Sequence, residues 1–415
     1  MRPLLHFTAK NGWINDPHGI TFRDGVYHAF FQYVPGTTAW APNCHWGHAV
    51  GPDLLSLTEL PVAIAPGDGD GGIWTGSLVQ NGEDTRILYT STSEPNIGIG
   101  RIRIATPADP GWVTWVKGAF VADAPPGLDI IAYRDPFIRR ESDGWRMFVG
   151  AGLRDGTAMA LSYVSDDLET WTYEGVALRR STDERDPVWM GALWECPQIF
   201  DLDGRAVMVS SVWDDDVLHY AGYAVGDYAG GVFTATSWGR LTFGDSLYAP
   251  SLFRDAEGRA CLSFWMRGIA DVDEGWGSAH SLPYILRLDG EQLIAEPHTD
   301  IAAHRDEPSA DGIVRGLAAE IQWSPRADAT LTIDSGETST AVLHLEGGRL
   351  SIEADGQVHD VPVLGDIRVI VDGPVLEVSS AGGLFGAPIA PRHDGIQVST
   401  SAGGVEIFPL LPVIE

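Results

Sequence analysis

WINDPHGITFRDGVYHAFF, residues 13–31, sets an aromatic, an acid and a proline ahead of two apolar residues, a D-G turn and an apolar strand. The pattern, usually with a polar or acidic residue and a Pro after the aromatic, returns as WTGSLVQNGEDTRILYTS from Trp74, YRDPFIRRESDGWRMFVGA from Tyr133, WECPQIFDLDGRAVMVSS from Trp194 and YAPSLFRDAEGRACLSFW from Tyr248. The opening aromatics fall 61, 59, 61 and 54 residues apart. Turn pairs such as D-G and E-G between two apolar runs mark β-hairpins, because those residues accept positive φ. Further strand candidates, GIGRIRIAT and AMALSYVSDD among them, lie between the hairpins. Each repeat therefore predicts a four-stranded antiparallel unit, and five such units closed around an axis make a β-propeller. A helical reading fails, since no long segment holds a helical apolar period and Gly, Pro and Thr interrupt throughout.

Residues 295–312, AEPHTDIAAHRDEPSADG, lose the alternation and read as a linker. Beyond them, short alternating segments from ATLTIDS (329–335) to VEIFPLL (405–411) are separated by Gly-rich turns, the form of a β-sandwich. The expectation is an all-β chain, with a five-bladed propeller over residues 1–300 and a β-sandwich over residues 311–415.

The 415 residues carry 57 Asp and Glu against 27 Lys and Arg, a formal charge of −30, with 44% hydrophobic and 20% charged residues. That charged fraction is too low for a disordered polyanion. The charge repels nucleic-acid backbones and anionic membrane surfaces, so neither is an expected partner. Cys44, Cys196 and Cys261 form no C-x-x-C pair and no closed disulfide framework, which favours a reducing compartment. The opening MRPLLHFTAKNGWINDP has no basic region followed by an apolar run, so a soluble cytoplasmic protein is expected. A secreted one with its leader trimmed would read the same. Oligomeric state is open. The 15 Trp supply flat apolar faces with one N–H donor each, suited to sugar stacking as well as to a core.

In a propeller, equivalent positions of successive blades converge on the axis. Asp16, Asp135 and Glu195 come from repeats one, three and four at what read as matching places, so all three should face one funnel. Acids crowded in one cavity raise at least one pKa and supply an acid and a base together. One ionised and one protonated carboxyl across a glycosidic bond is what glycoside hydrolysis needs. Arg134 is expected to keep its neighbour Asp135 ionised. The plainer alternatives are that D-P merely caps a turn, that most blade-opening aromatics pack between blades, and that Asp214, Asp215 and Asp216 form a solvated loop. His45 and His48 lack further ligands at metal spacing, and Cys196 lacks a basic partner. No metal and no cofactor are expected.

WINDPHG (13–19), YRDPF (133–137) and WECPQIF (194–200), in this order, resemble the three signature motifs of glycoside hydrolase family 32, the β-fructofuranosidase, invertase, inulinase and levanase family. FQYVP (31–35), WGHAVGPDL (46–54), WTGSL (74–78), GDSLYAPSLF (244–253), GWGSAHSLP (275–283) and IRVIVDGPVLEV (367–378) extend the likeness over nearly the whole chain. The resemblance implies a five-bladed propeller with a C-terminal sandwich and a retaining release of terminal fructose from sucrose or fructans. It implies Asp16 as nucleophile, Glu195 as acid/base and Asp135 as transition-state stabiliser. Asn15, Gln32, Trp40, Thr75 and Arg134 match positions that line the family's fructose pocket, and Trp74 is expected to wall it beside Trp40. A retaining pair of carboxyls stands about 5–5.5 Å apart.

This chain departs from the common family text at His18 (usually Asn), Trp74-Thr75 (often Phe-Ser), Leu57 (usually Trp) and Tyr284 (often Arg). These are expected at the pocket's rim or just behind it, where they bear on substrate choice. The competing functions are a fructosyltransferase on the same scaffold and a catalytically inactive fructan-binding protein. Inverting arabinan or xylan hydrolases use a similar propeller but lack the W-x-N-D-P opening.

Overall fold

The computed structural model describes residues 1–335, 338–390 and 395–412. Each repeat motif forms the innermost strand of a blade: Gly12–Arg23, Gly72–Asn81, Ile130–Glu141, Leu193–Leu202 and Leu247–Arg254. From each, antiparallel neighbours step outward in chain order, as in Ile130–Glu141, Gly144–Leu153, Thr157–Ser165 and Thr172–Ser181. The five-bladed propeller and sandwich read from the repeats are borne out.

Every innermost strand slips register at its motif: between Ile14 and Pro17, Trp74 and Gly76, Arg134 and Phe137, Glu195 and Gln198, and Tyr248 and Ser251. Proline cannot donate to the ladder, so the strand bulges there and its backbone swings out of line. Asp135, Cys196 and Ala249, each just before a proline, take φ of 64°, 49° and 49°. The second blade has glycine instead: a Cβ on Gly76 would lie 2.0 Å from the Leu88 carbonyl oxygen. Blade faces then pack on one another, with Tyr133, Met147 and Leu161 against Leu88 and Ile102 between blades two and three. The same pairing sets Trp194, Ile199 and Met208 against Phe148 and Ala160 between blades three and four.

The fifth repeat is more than the expected four-stranded unit. An extra strand, Trp276–His280, runs antiparallel to Ala260–Asp271 and parallel to the start of Gly12–Arg23, with Trp276 opposite Gly12. Blades five and one thus form one continuous sheet that closes the ring.

The C-terminal part is two six-stranded sheets around Trp323, Leu331, Leu343, Ile352, Val369 and Phe385. Ala318–Ser324 is a strand that the alternation did not reveal, because six of its seven residues are wholly or partly buried. Thr242–Phe243 crosses from the propeller to pair in parallel with Gly383–Pro388. The stretch read as a linker is packed: Thr299–His304 is a 3₁₀ turn with Ile301 and His304 buried, and Arg305 Nε donates to the fully buried Glu320 at 2.5 Å. His6 joins the two halves. Its Nδ1 lies 2.8 Å from Asp372 and its Nε2 3.1 Å from Glu377, and Glu377 also accepts from the Leu282 amide and the Tyr284 hydroxyl. Burial opposes charge on His6, but the two carboxylates outweigh it and push its pKa up to about 9.

Candidate active site

The bulges gather carboxylates at one end of the axis. Asp16 Oδ2 accepts from the Thr75 hydroxyl at 2.6 Å and from Gln32 Nε2 at 3.1 Å, while Oδ1 accepts from Asn15 Nδ2 at 3.0 Å. Gln32 reaches it from the neighbouring strand Val26–Pro35 and Thr75 from the next blade. Burial, reinforced by the nearby charge of Glu195, pushes the Asp16 carboxyl up to about 6 against the pull of these donors.

Asp135 Oδ2 accepts the Cys196 amide at 3.0 Å, and its own amide donates to the Thr90 hydroxyl at 2.8 Å. Burial lifts its pKa to about 7; Arg134 pulls it down, and Glu195 and Asp16 add to the rise. Glu195 is gripped at both oxygens, Oε1 by Arg134 Nη2 at 2.9 Å and Oε2 by the Tyr248 hydroxyl at 2.5 Å. Asp16, Asp135 and Glu195 are thus brought together, as are Asn15, Gln32, Thr75 and Arg134.

Two expectations need correction. Glu195 does not occupy the place of Asp16 and Asp135: counted from the proline it stands one residue earlier, in register with Arg134 and Tyr248, and Cys196 holds the acid's place. The two-residue bulge lets both positions face the axis. Arg134 also serves Glu195 rather than Asp135, whose Oδ2 is 3.9 Å from Arg134 Nε. The rise at Asp135 comes first from its burial, which the Arg134 charge offsets only in part.

Tyr248 was legible only as a blade-opening aromatic; its register with Glu195 was the available signal. Cys196 lies 3.8 Å from Asp16, and burial with three neighbouring carboxylates drives its pKa far up, so its thiol stays protonated. The mouth is aromatic. Trp40, 45% exposed, meets Trp74 edge-on at 6.0 Å, Trp13 meets Trp265 at 5.8 Å, and the Arg134 guanidinium lies over Trp74 at 5.9 Å.

Of the family departures, only Trp74-Thr75 stands at the pocket. Leu57 packs among Phe7, Ile14 and Phe31, Tyr284 lies in the contact with the sandwich, and His18 is buried within the propeller. His48 pairs with His28, Nε2 to Nδ1 at 3.0 Å. Among the described residues, Asp255, Cys261 and His298 form the one close group of metal-binding types, and the Arg259 guanidinium already fills it, 2.6 Å from Asp255 and 3.3 Å from His298.

The family model described as "Glycosyl hydrolases family 32 N-terminal domain" matches residues 6–297. This chain belongs to glycoside hydrolase family 32. Among its family 32 relatives, a sucrose-6-phosphate hydrolase of Zymomonas mobilis is 30% identical over 359 residues, 80% of this chain and 69% of that protein. A variant of the Bombyx mori GH32 beta-fructofuranosidase, solved in complex with sucrose, superposes with a TM-score of 0.86 at 24% identity, over 99% of this chain and 94% of that one. Fructan 1-exohydrolase IIa of Cichorium intybus, solved with 1-kestose, gives 0.77 at 21% identity over 99% and 97%. Those two likenesses show that the fold of this family 32 chain extends through the sandwich. No helix among its described residues is long and apolar enough to cross a membrane.

Proposed function

We propose that this chain is an exo-acting, retaining β-fructosidase that releases terminal fructose from sucrose or short fructo-oligosaccharides. The observation that carries it is the division of labour among three carboxyls in one aromatic-mouthed pocket. Asp16 is held by donors on both oxygens, Glu195 is oriented by Arg134 and Tyr248, and Asp135 lies with them.

Asp16 attacks the anomeric carbon of the fructosyl unit while Glu195 gives its proton to the departing glycosidic oxygen; the old C–O bond breaks as the ester to Asp16 forms. Glu195 then takes a proton from water, which attacks the same carbon and returns Asp16 as a carboxylate. Asp135 accepts hydrogen bonds from fructose hydroxyls and opposes the positive charge that develops on the ring. Asn15 and Gln32 keep Asp16 in line, and Trp40 and Trp74 stack on the sugar. Every proton moves between protein carboxyls, sugar and water, so the scheme calls for no cofactor. The three free, buried cysteines support a cytoplasmic location.

The test is fructose release from sucrose, kestose, inulin, levan and sucrose-6-phosphate in parallel. Equal glucose and fructose from sucrose is expected. Kestose-type products as the main output at high sucrose would overturn hydrolysis in favour of transfer.

A further inference from the structure

Beside Asp135 all five innermost strands leave a cavity of about 20 Å³ on the propeller axis, bordered by His18, Ser77, Asp135, Gln198 and Ser251 together with three of the four motif prolines. An opening of about 10–15 Å³ already holds one water if polar partners are present. His18 is 2% exposed, its ring lies on Trp46 with centroids 3.9 Å apart, and neither ring nitrogen has a partner in the protein. Buried polar atoms are almost always satisfied, by protein or by ordered water.

The other polar groups there are largely committed. The Ser77 hydroxyl donates to the Pro136 carbonyl at 2.5 Å, and Gln198 donates to the Pro250 carbonyl at 2.5 Å and accepts from the Leu252 amide at 2.7 Å. Asp135 uses Oδ2 for the Cys196 amide. We propose that a single buried water occupies this axial cavity, accepts from a His18 ring N–H and donates to Asp135 from beneath the active site.

His18 is then a positioning residue for the reaction. The groups facing Asp135 are Asp16, Glu195, Arg134 and Cys196, and of these only Arg134 is a cation. Its hydrogen bond goes to Glu195, so it favours the Asp135 carboxylate only through its charge, and a donor from below adds to that charge and to the Cys196 amide. Burial and the neighbouring His280 keep His18 neutral, which leaves one ring nitrogen as donor and one as acceptor. Asparagine, the residue usual in the family text here, also offers a donor; leucine offers none.

The role in turnover rests on the proposed function, whereas the water itself does not, so the experiment has two arms. In the first, kcat/KM for sucrose is followed across pH in His18→Asn and His18→Leu. The leucine variant should move the acid limb up by about one pH unit and lose about tenfold at pH 6, while the asparagine variant stays close to wild type. An unmoved limb in His18→Leu, or equal losses in both variants, overturns the positioning role. In the second arm, a crystal structure of the wild-type protein at water-resolving resolution should show one peak in contact with His18 and Asp135. An empty cavity overturns the proposal, and so does a peak lost after chelator treatment, which would be a metal ion.

Discussion

Replacing Asp135 by Asn should abolish turnover and stabilise the fold, with a gain that grows with pH. The Asp135 carboxyl is 4% exposed, and its pKa rises from an ordinary 3.8 to about 7. A raised folded-state pKa means that the folded protein binds the proton more tightly than the unfolded chain does. The corresponding stability is present below about pH 4 and is lost as pH climbs through 7. At about 1.4 kcal/mol per pH unit, three units amount to about 4 kcal/mol above pH 7 and about 1 kcal/mol at pH 4.5. Asparagine has the same shape and still accepts the Cys196 amide, but carries no charge to desolvate. With about 2.1 cal/mol/K of unfolding entropy per residue over the roughly 300 residues of the propeller, 4 kcal/mol corresponds to about 6 °C in Tm. Thermal unfolding of both proteins between pH 4.5 and 8 measures it directly. A variant less stable than wild type at pH 8, or a gain that does not change with pH, would refute the claim that burial strains this carboxylate.

Three further outcomes are expected. Activity on sucrose should fall as pH drops through about 7 and then about 6, where first Asp135 and then Asp16 takes up a proton; kcat/KM measured from pH 4 to 9 locates that limb. His6→Leu should cost about 3–5 kcal/mol by urea unfolding at pH 7, since it strands Asp372 and Glu377 without their cation; wild type itself should lose this contribution as pH rises through about 9. Sucrose-6-phosphate should be a poorer substrate than sucrose. Asp214, Asp215 and Asp216 begin three residues beyond Ser211, which pairs with Glu195, hence about 10 Å away along the strand. They should repel a phosphate dianion by about fourfold at 0.15 M ionic strength and more at low salt, with sucrose unaffected.

Much of this architecture is written in the spacing of one motif. An X-P step in four of the five innermost strands forces the ladder to slip, and that slip turns the pocket's side chains to the axis, so repeat, fold and site share one cause. The one-residue offset of Glu195 is visible in the text, as W-E-C-P against Y-R-D-P, yet its meaning depends on the two-residue bulge. The partnership of Arg134 with Glu195 across blades is a distance, and adjacency to Asp135 in sequence pointed the other way. The Ala318–Ser324 strand and the burial of His18 stayed hidden for a related reason: a strand covered on both faces loses its alternation, and a polar residue read one at a time does not announce that it faces an internal cavity. The extra closing strand, Trp276–His280, pairs with Gly12 and Trp13 from the other end of the propeller, and no local pattern encodes such a contact.

The central claim is that Asp16 forms a covalent ester with fructose. Brief exposure of the wild type to sucrose, and of Glu195→Gln to a fructosyl fluoride whose leaving group needs no proton, followed by acid quench and peptide mass analysis, tests it most directly. The account predicts one anhydrohexose added to the peptide that contains Asp16, and none in Asp16→Asn. An adduct on the Asp135 or Glu195 peptide, or turnover with inverted anomeric configuration and no adduct at all, would contradict it.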